Sequence, residues 1–272
     1  MDNILKHTVR KTSQRDSTET EDDIAVEEPL EIIIRYGNSQ KRQRKTIAVT
    51  MRTPSEDAFL AIGFLYTEGM IAAWADVVSY RFLEKNSLVI DLRESLAFDA
   101  EKLNRHFYTT SSCGVCGKAS LEAVVVDTCF ILQKNYPIVS KDLIFNLPAQ
   151  LFDNQSLFTK TGGVHASALF NTEGVLINLF EDVGRHNALD KLVGWALQNQ
   201  LLPLSNYLLL VSGRVSFELI QKAAMAGIPI VVAIGAPSSL AIALAEQNSM
   251  TLIGFLKTDK MNIYAGLERI NA

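Results

Sequence analysis

The sequence predicts an α/β fold: a C-terminal part built on a parallel sheet covered on both faces, preceded by a smaller α+β unit. Three observations carry this. The last third alternates "NYLLLV", "VSFELIQKAAMA", "IPIVVAI", "SSLAIALAEQ" and "MTLIGFL", strand and helix patterns in turn, with strands apolar almost throughout, as strands buried on both faces are. The first hundred residues hold two strand pairs around one helix instead. A length of 272 residues at 48% apolar composition can bury a full core in one large domain or two smaller ones.

Taken in order, residues 1–28 are polar and become acidic, with nothing to bury, and are expected to form a mobile leader. The α+β unit is expected at 29–108. "LEIIIRY" and "KTIAVTMR" read as strands joined by the basic turn "GNSQKRQR", a solvated tip or a phosphate contact. "TPSEDAFLAIGFLYTEGMI" carries a helix-start signature, with Thr53 as N-cap, Pro54 at the first helical position and Glu56 closing a capping box. Its Ala58, Phe59, Ile62, Leu65 and Tyr66 recur at helical spacing. "VVSYRF" and "SLVIDL" form the second strand pair around "LEKN".

A cysteine loop is expected at 109–120 and the α/β unit at 121–272. "SLEAVVV" fits helix or strand. Ser140 opens a helix through "KDLIFNLPAQLF", which Pro148 bends or ends. "VHASALF" and "GVLINLF" make a hairpin across "NTEG", and "HNALDKLVGWALQNQ" is an amphipathic helix with Ala188, Leu189, Leu192, Trp195 and Ala196 on one face. In a sheet of this type, ligands bind beyond the carboxyl ends of the strands. Those ends are the loops Ser212 to Arg214 and Gly235 to Ser239, whose small residues and free N–H groups suit phosphate, with Arg214 as a bidentate donor. Tight strand-to-helix turns need small residues in any case. "EDVGRHNALDK" gathers Glu181, Asp182, Arg185, His186, Asn187, Asp190 and Lys191. It is either a helix cap with surface ion pairs or a functional cluster led by Arg185 and His186. His165, after Gly162 and Gly163, is a second candidate, or a satisfied buried hydrogen-bonder.

Composition narrows the function classes. With 26 basic and 30 acidic residues, a net charge of −4, there is no bulk attraction to nucleic acid or an anionic membrane. The apolar run Ala223 to Ala245 is broken by glycine, proline and serine, against a membrane span. The N-terminus has no signal or transit character, and three cysteines are too few for a disulfide framework, so a cytoplasmic location is expected.

"TTSSCGVCGKAS" sets Cys113 and Cys116 two residues apart. Three chemistries fit. Zinc wants four ligands, usually from two such knuckles, and only His165 and His186 could complete a set. A thioredoxin-like pair would open a helix after a first strand. A sulfur carrier wants an exposed thiol of low pKa, which Lys118 favours, in a pliant loop such as Gly114 and Gly117 supply. Cys129, in "VVVDTCFIL", reads as a small buried hydrophobe.

The blocks "SSCGVCGK", "TGGVHASALF", "EDVGRHNALDKLVG", "SGRVSFELIQKAAMAGIPIV" with "APSSLAIALAE", and "TLIGFLK" with "NIY" together resemble the formate dehydrogenase accessory sulfurtransferases, the FdhD/NarQ family, from about residue 28 to the C-terminus. The resemblance implies a three-layer, cytidine-deaminase-like C-terminal domain and a homodimer. It implies a sulfurtransferase that takes persulfide sulfur from a cysteine desulfurase. The acceptor would be the molybdenum or tungsten bis-guanine-dinucleotide pterin cofactor destined for formate dehydrogenase, bound as transferred ligand through its guanine nucleotides. By motif position, Cys113 would carry the persulfide and Cys116 would be the second thiol. Phe255, Leu256, Lys257, Thr258, Asp259 and Lys260 would contact the cofactor, with Arg214 at a phosphate. Gly235 stands where that family's loop has serine. Deaminase chemistry is not implied, since His165 lacks the H-x-E glutamate and Cys113 lacks the preceding proline. A zinc-stabilised escort of formate dehydrogenase, and a dithiol oxidoreductase, are the alternative readings.

Overall fold

The computed structural model of the chain describes residues 3–96 and 130–271. The polar stretch expected to be a mobile leader is instead a hairpin, β1 (Ile4–Thr12) and β2 (Ser17–Ala25), in register from Ile4↔Ala25 to Thr12↔Ser17. Charge, not burial, zips it: β1 carries Lys6, Arg10 and Lys11, β2 carries Glu19, Glu21 and Asp22, and Lys6–Glu21 and Lys11–Asp22 pair at 3.3 and 3.2 Å. Ser13 closes the turn, its Oγ accepting from the Arg15 and Asp16 N–H groups. Cross-strand pairing of opposite charges can set a register where an apolar face is missing.

The next unit is a four-stranded sheet in the order β4-β3-β6-β5, from β3 (Glu28–Tyr36), β4 (Gln43–Arg52), β5 (Val77–Glu84) and β6 (Ser87–Leu92). β3 and β6 run parallel because helix α1 (Asp57–Thr67) lies on the chain between the two hairpins. The helix begins three residues later than its sequence signature, at Asp57 rather than Pro54. Thr53 is not its N-cap: Ser55 and Glu56 take left-handed φ values of 120° and 49°, and Thr53 is buried in contacts with a strand more than a hundred residues on.

The C-terminal unit holds a six-stranded mixed sheet, β13-β12-β11-β10-β8-β9. Its parallel centre is β10 (Tyr207–Val211), β11 (Ile230–Ala233) and β12 (Thr251–Gly254). The antiparallel hairpin β8 (His165–Asn171) and β9 (Leu176–Asp182) flanks it on one side and β13 (Asn262–Ala265) on the other. The order also counts the short β7 (Val139–Ser140), which pairs with the C-terminal β14 (Ile270–Asn271). Alternate residues of the central strands face opposite ways. Leu209, Val211, Val231, Ala233 and Leu252 pack with α4 (Arg185–Gln198), α5 (Phe217–Met225) and α6 (Ser239–Gln247). Leu208, Leu210, Ile230, Val232 and Ile253 pack with α2 (Lys141–Asn154), which Ser140 caps through the Leu143 N–H and which runs on through Pro148. A short α3 (Ser156–Thr161) follows it. The α/β fold with three layers is thus present, with a sheet parallel only at its centre.

The two units share one core, in which Leu30, Ile32 and Leu88 belong to the same apolar cluster as Leu192 and Leu209. Helices α1 and α4 meet at backbone distance. A Cβ on Gly63 would lie 1.8 Å from the Asp190 carbonyl oxygen, and one on Gly194 would lie 2.0 Å from that of Phe59. Among the described residues no helix is long and apolar enough to cross a membrane.

Candidate functional site

At the carboxyl ends of β10, β11 and β12 three loops lock together through their backbones. The Gly235 N–H donates to the Gly213 carbonyl at 3.1 Å, Val215 N–H to Ala236 at 3.0 Å, Ser238 N–H to Val215 at 2.9 Å, and Phe255 N–H to Gly235 at 3.0 Å. Such approach needs glycine. A Cβ at Gly235 would sit 2.8 Å from the Gly213 oxygen and 2.9 Å from the Arg214 nitrogen, and one at Gly254 would sit 2.8 Å from Pro237 Cδ. A side chain at 235 would push the first two loops apart.

β8 delivers His165 to the same end. Its imidazole lies against Gly213, where an added Cβ would be 3.2 Å from Nδ1, and the next residue exchanges two hydrogen bonds with Ser212. Burial, and then the Arg185 guanidinium, hold His165 below its ordinary pKa. His186, on the first turn of α4, is held neutral more firmly: burial first, then Lys222 and Arg185, push it down to about 3. Its Nε2 lies 3.3 Å from Ser216 Oγ. Ser216 is the N-cap of α5, yet its side chain makes no cap bond, so the half-buried start of that helix has N–H groups left for another acceptor. The carboxylate of Glu218 is 3.9 Å from the same Nε2, not from Nδ1, so this is no nucleophile relay. The Arg185 Nε is buried without a partner among the described residues.

The rest of "EDVGRHNALDK" is structural. Glu181 caps α3, accepting the Leu157 and Phe158 N–H groups at 2.8 Å. Asp182 pairs with Lys191 at 2.8 Å and accepts from Thr53 N–H, while Thr53 Oγ1 accepts from Val183 N–H. Asn187 donates to Asp182 and to the Met51 carbonyl. Asp190 binds Lys222. Helix-face charges that read as surface ion pairs are therefore buried braces between the two units.

Of the expected cofactor contacts, Arg214 is exposed at the end of its loop, and Phe255, Lys257, Thr258, Asp259 and Lys260 are exposed beyond β12. Phe255 adopts a left-handed φ of 54°, unusual for an aromatic residue and of the kind that clusters at functional sites. Lys257 N–H donates to the Lys260 carbonyl, closing a turn that displays both lysines. Leu256 is buried in the core and anchors the turn. Cys113 and Cys116, with Cys129 and "SLEAVVV", lie outside the described residues. Beside these loops, toward α2, is a cavity of about 520 Å³ lined by Leu151, Phe152, Gln155, Phe158, His165 and Ser212 among others. Sequence reasoning missed it. Gln155 is 5% exposed, and its Nε2 donor has no partner among the described residues. Its only sequence signal was an amide between two helical stretches.

The FdhD/NarQ family model matches residues 25–271. The chain belongs to the FdhD/NarQ family. Curated relatives agree along nearly the whole length. The sulfur carrier protein FdhD of Mycolicibacterium paratuberculosis is 49% identical over 256 residues, 91% of each chain. That of Streptomyces coelicolor is 46% identical over 259 residues, 92% of this chain and 89% of the relative. The archaeal one from Sulfurisphaera tokodaii is 45% identical over 258 residues, 94% of this chain and 95% of the relative. A crystal structure from Desulfotalea psychrophila, described as a formate dehydrogenase accessory protein, shares the fold with a TM-score of 0.73 over 99% of this chain and all of the other, at 22% identity. The span matched to the FdhD/NarQ family takes in both the strand-end loops and the CxxC block of the sequence.

Proposed function

We propose that this protein is a sulfur carrier in formate dehydrogenase maturation. Cys113 takes sulfur from the persulfide of a cysteine desulfurase, and the sulfur goes to the molybdenum or tungsten bis-guanine-dinucleotide cofactor held at the strand-end loops. The observation that carries the reading is the match of the chain, over more than nine-tenths of its length, to relatives named sulfur carriers, with the CxxC pair in the sequence.

The chemistry balances without an outside oxidant. The Cys113 thiolate attacks the terminal sulfur of the desulfurase Cys–S–SH, the S–S bond to the desulfurase breaks, and its cysteine leaves as thiolate, giving Cys113–S–SH. In the release step the acceptor supplies the electron pair that binds the outer sulfur, the S–S bond breaks and Cys113 leaves as thiolate, Cys116 being the second thiol of the pair. The cofactor is cargo here, not a resident group. The free N–H groups of the α5 first turn, Arg214, Lys257 and Lys260 supply phosphate contacts, and the apolar cavity beside them suits the flat rings. Neutral His165 and His186 leave the anion's charge to the arginines and lysines. The protein acts in the cytoplasm as a homodimer, the assembly the family resemblance implies.

Intact mass after incubation with a desulfurase and cysteine tests the carrier step: a reducible gain of one sulfur, absent in Cys113→Ala, is expected. No gain alongside stoichiometric zinc would overturn it in favour of a zinc-stabilised escort. For the nucleotide site, GDP at a hundred times its Kd should stabilise the fold by about 2.7 kcal/mol. No melting shift at millimolar GDP would remove that part of the proposal.

A further inference from the structure

Three arginines of the N-terminal sheet converge on one carboxylate. On the face turned away from α1, Asp91 accepts from Arg35 Nε and, at 2.8 Å, from Arg81 NH1, and Arg42 NH2 lies 3.5 Å away. Asp91 is 1% exposed, whereas the Arg35 and Arg81 side chains are 37% and 43% exposed. Arg42 is fixed by the carbonyls of Gly37, Arg35 and Leu92. The register puts Arg44 directly opposite Arg35, and Arg35 opposite Asp91. Ser79, two residues before Arg81 on the same face of β5, also donates to Asp91. Three guanidiniums therefore share one carboxylate, and Arg44, across from Arg35, extends the row over all four strands. Like charges directly opposite each other on a sheet are destabilising, and Arg44 has no carboxylate partner among the described residues.

We propose that this row is a docking surface for an acidic, extended segment of a partner protein. Exposed guanidinium forks match carboxylates in bidentate geometry. Four strands about 4.8 Å apart make a row of roughly 15 Å, the reach of four or five extended residues. The same face favours a short acidic peptide over a nucleic acid. Further along the same face of β3, Glu31 accepts from Thr46 and Ser87. A phosphodiester backbone continuing across the sheet would meet that carboxylate, and the chain as a whole is acidic. The surface uses no residue of the strand-end loops.

The test is fluorescence anisotropy of a labelled hexaglutamate peptide with the full chain at low ionic strength. Binding should be salt-sensitive and at least about tenfold weaker in Arg44→Glu, a residue whose side chain makes no bond the fold uses. Arg81→Gln should weaken it further. Lys6→Glu with Lys11→Glu, on the hairpin, should leave it unchanged. Failure of the wild type to bind the peptide, equal binding by Arg44→Glu, equal weakening by the hairpin variant, or tighter binding of a single-stranded hexanucleotide would each overturn the proposal.

Discussion

Lys222 Nζ donates to both carboxylate oxygens of Asp190, at 3.0 Å each. Thr67 on α1 joins the pair, its hydroxyl 2.8 Å from Asp190 Oδ1 and 2.9 Å from the ammonium, and Glu68 lies 3.4 Å from it. One ion pair thus ties α1, α4 and α5 together under the strand-end site. Burial opposes Lys222's charge, but Asp190 and Glu68 outweigh it and raise its pKa.

Removing Asp190 takes away the main counter-charge of buried Lys222 and leaves it only Glu68. Asp190→Asn should cost about 3–5 kcal/mol, whereas Asp190→Leu combined with Lys222→Met should recover most of that loss. Urea unfolding followed by tryptophan fluorescence measures both. A double variant no more stable than Asp190→Asn would mean the pair is not the cause.

Stability should carry a histidine signature in pH. His186 titrates near 3 when folded and near 6.5 when unfolded, so below 6.5 the unfolded chain takes up a proton the folded one refuses. Stability is then lost as pH falls, by about 2 kcal/mol from this group between pH 7 and 5. Asp190, which burial pushes up to about 6, acts with opposite sign in the same window. The readout is therefore the difference between wild type and His186→Gln, whose unfolding free energies should converge as pH falls. Parallel pH profiles would refute this.

Gly194→Ala should unfold the protein or cost several kcal/mol, because its Cβ would enter the Phe59 carbonyl at 2.0 Å, backbone that cannot step aside. Gly162→Ala, with φ +65° and open space around its Cβ, should cost only about 1 kcal/mol of backbone strain. Thermal melts of the two variants give the comparison. Similar losses would mean the helix contact is looser than its distances imply.

Putting a side chain at the contact between the loops, Gly235→Ser, should damage the strand-end site. The new side chain meets Gly213 and Arg214, so the melting temperature should drop and any GDP-induced shift shrink. An unchanged GDP shift would show that loops 212–214 and 235–238 do not shape the nucleotide site.

Much of the fold is legible because burial leaves a periodic trace. β10, β11 and β12 are buried on both faces and read as continuous apolar runs, and Ser140 caps α2 as its pattern predicts. What stayed hidden depends on partners far apart in the chain. Thr53 looks like a helix cap, but its hydroxyl is taken by Val183, 130 residues away. The hairpin of Ile4–Ala25 has no apolar face, and its signal was the opposite charge of its two strands. At the strand-to-helix junction where the sequence gathers polar residues, His186 lies beside Ser216 and Glu218, and Arg185 acts on His165. Asp182, Asp190 and Lys191 carry the same letters as surface residues and are buried. Gln155 has no neighbours in sequence that mark it.

The paired glycines of α1 and α4 constrain inheritance as well as packing. Each helix is shaped to one particular neighbour at backbone precision, so the N-terminal sheet cannot be traded between distant relatives as a module. Substitution is accommodated more readily at the rims, in the charged hairpin and on the outer sheet face, than along this seam.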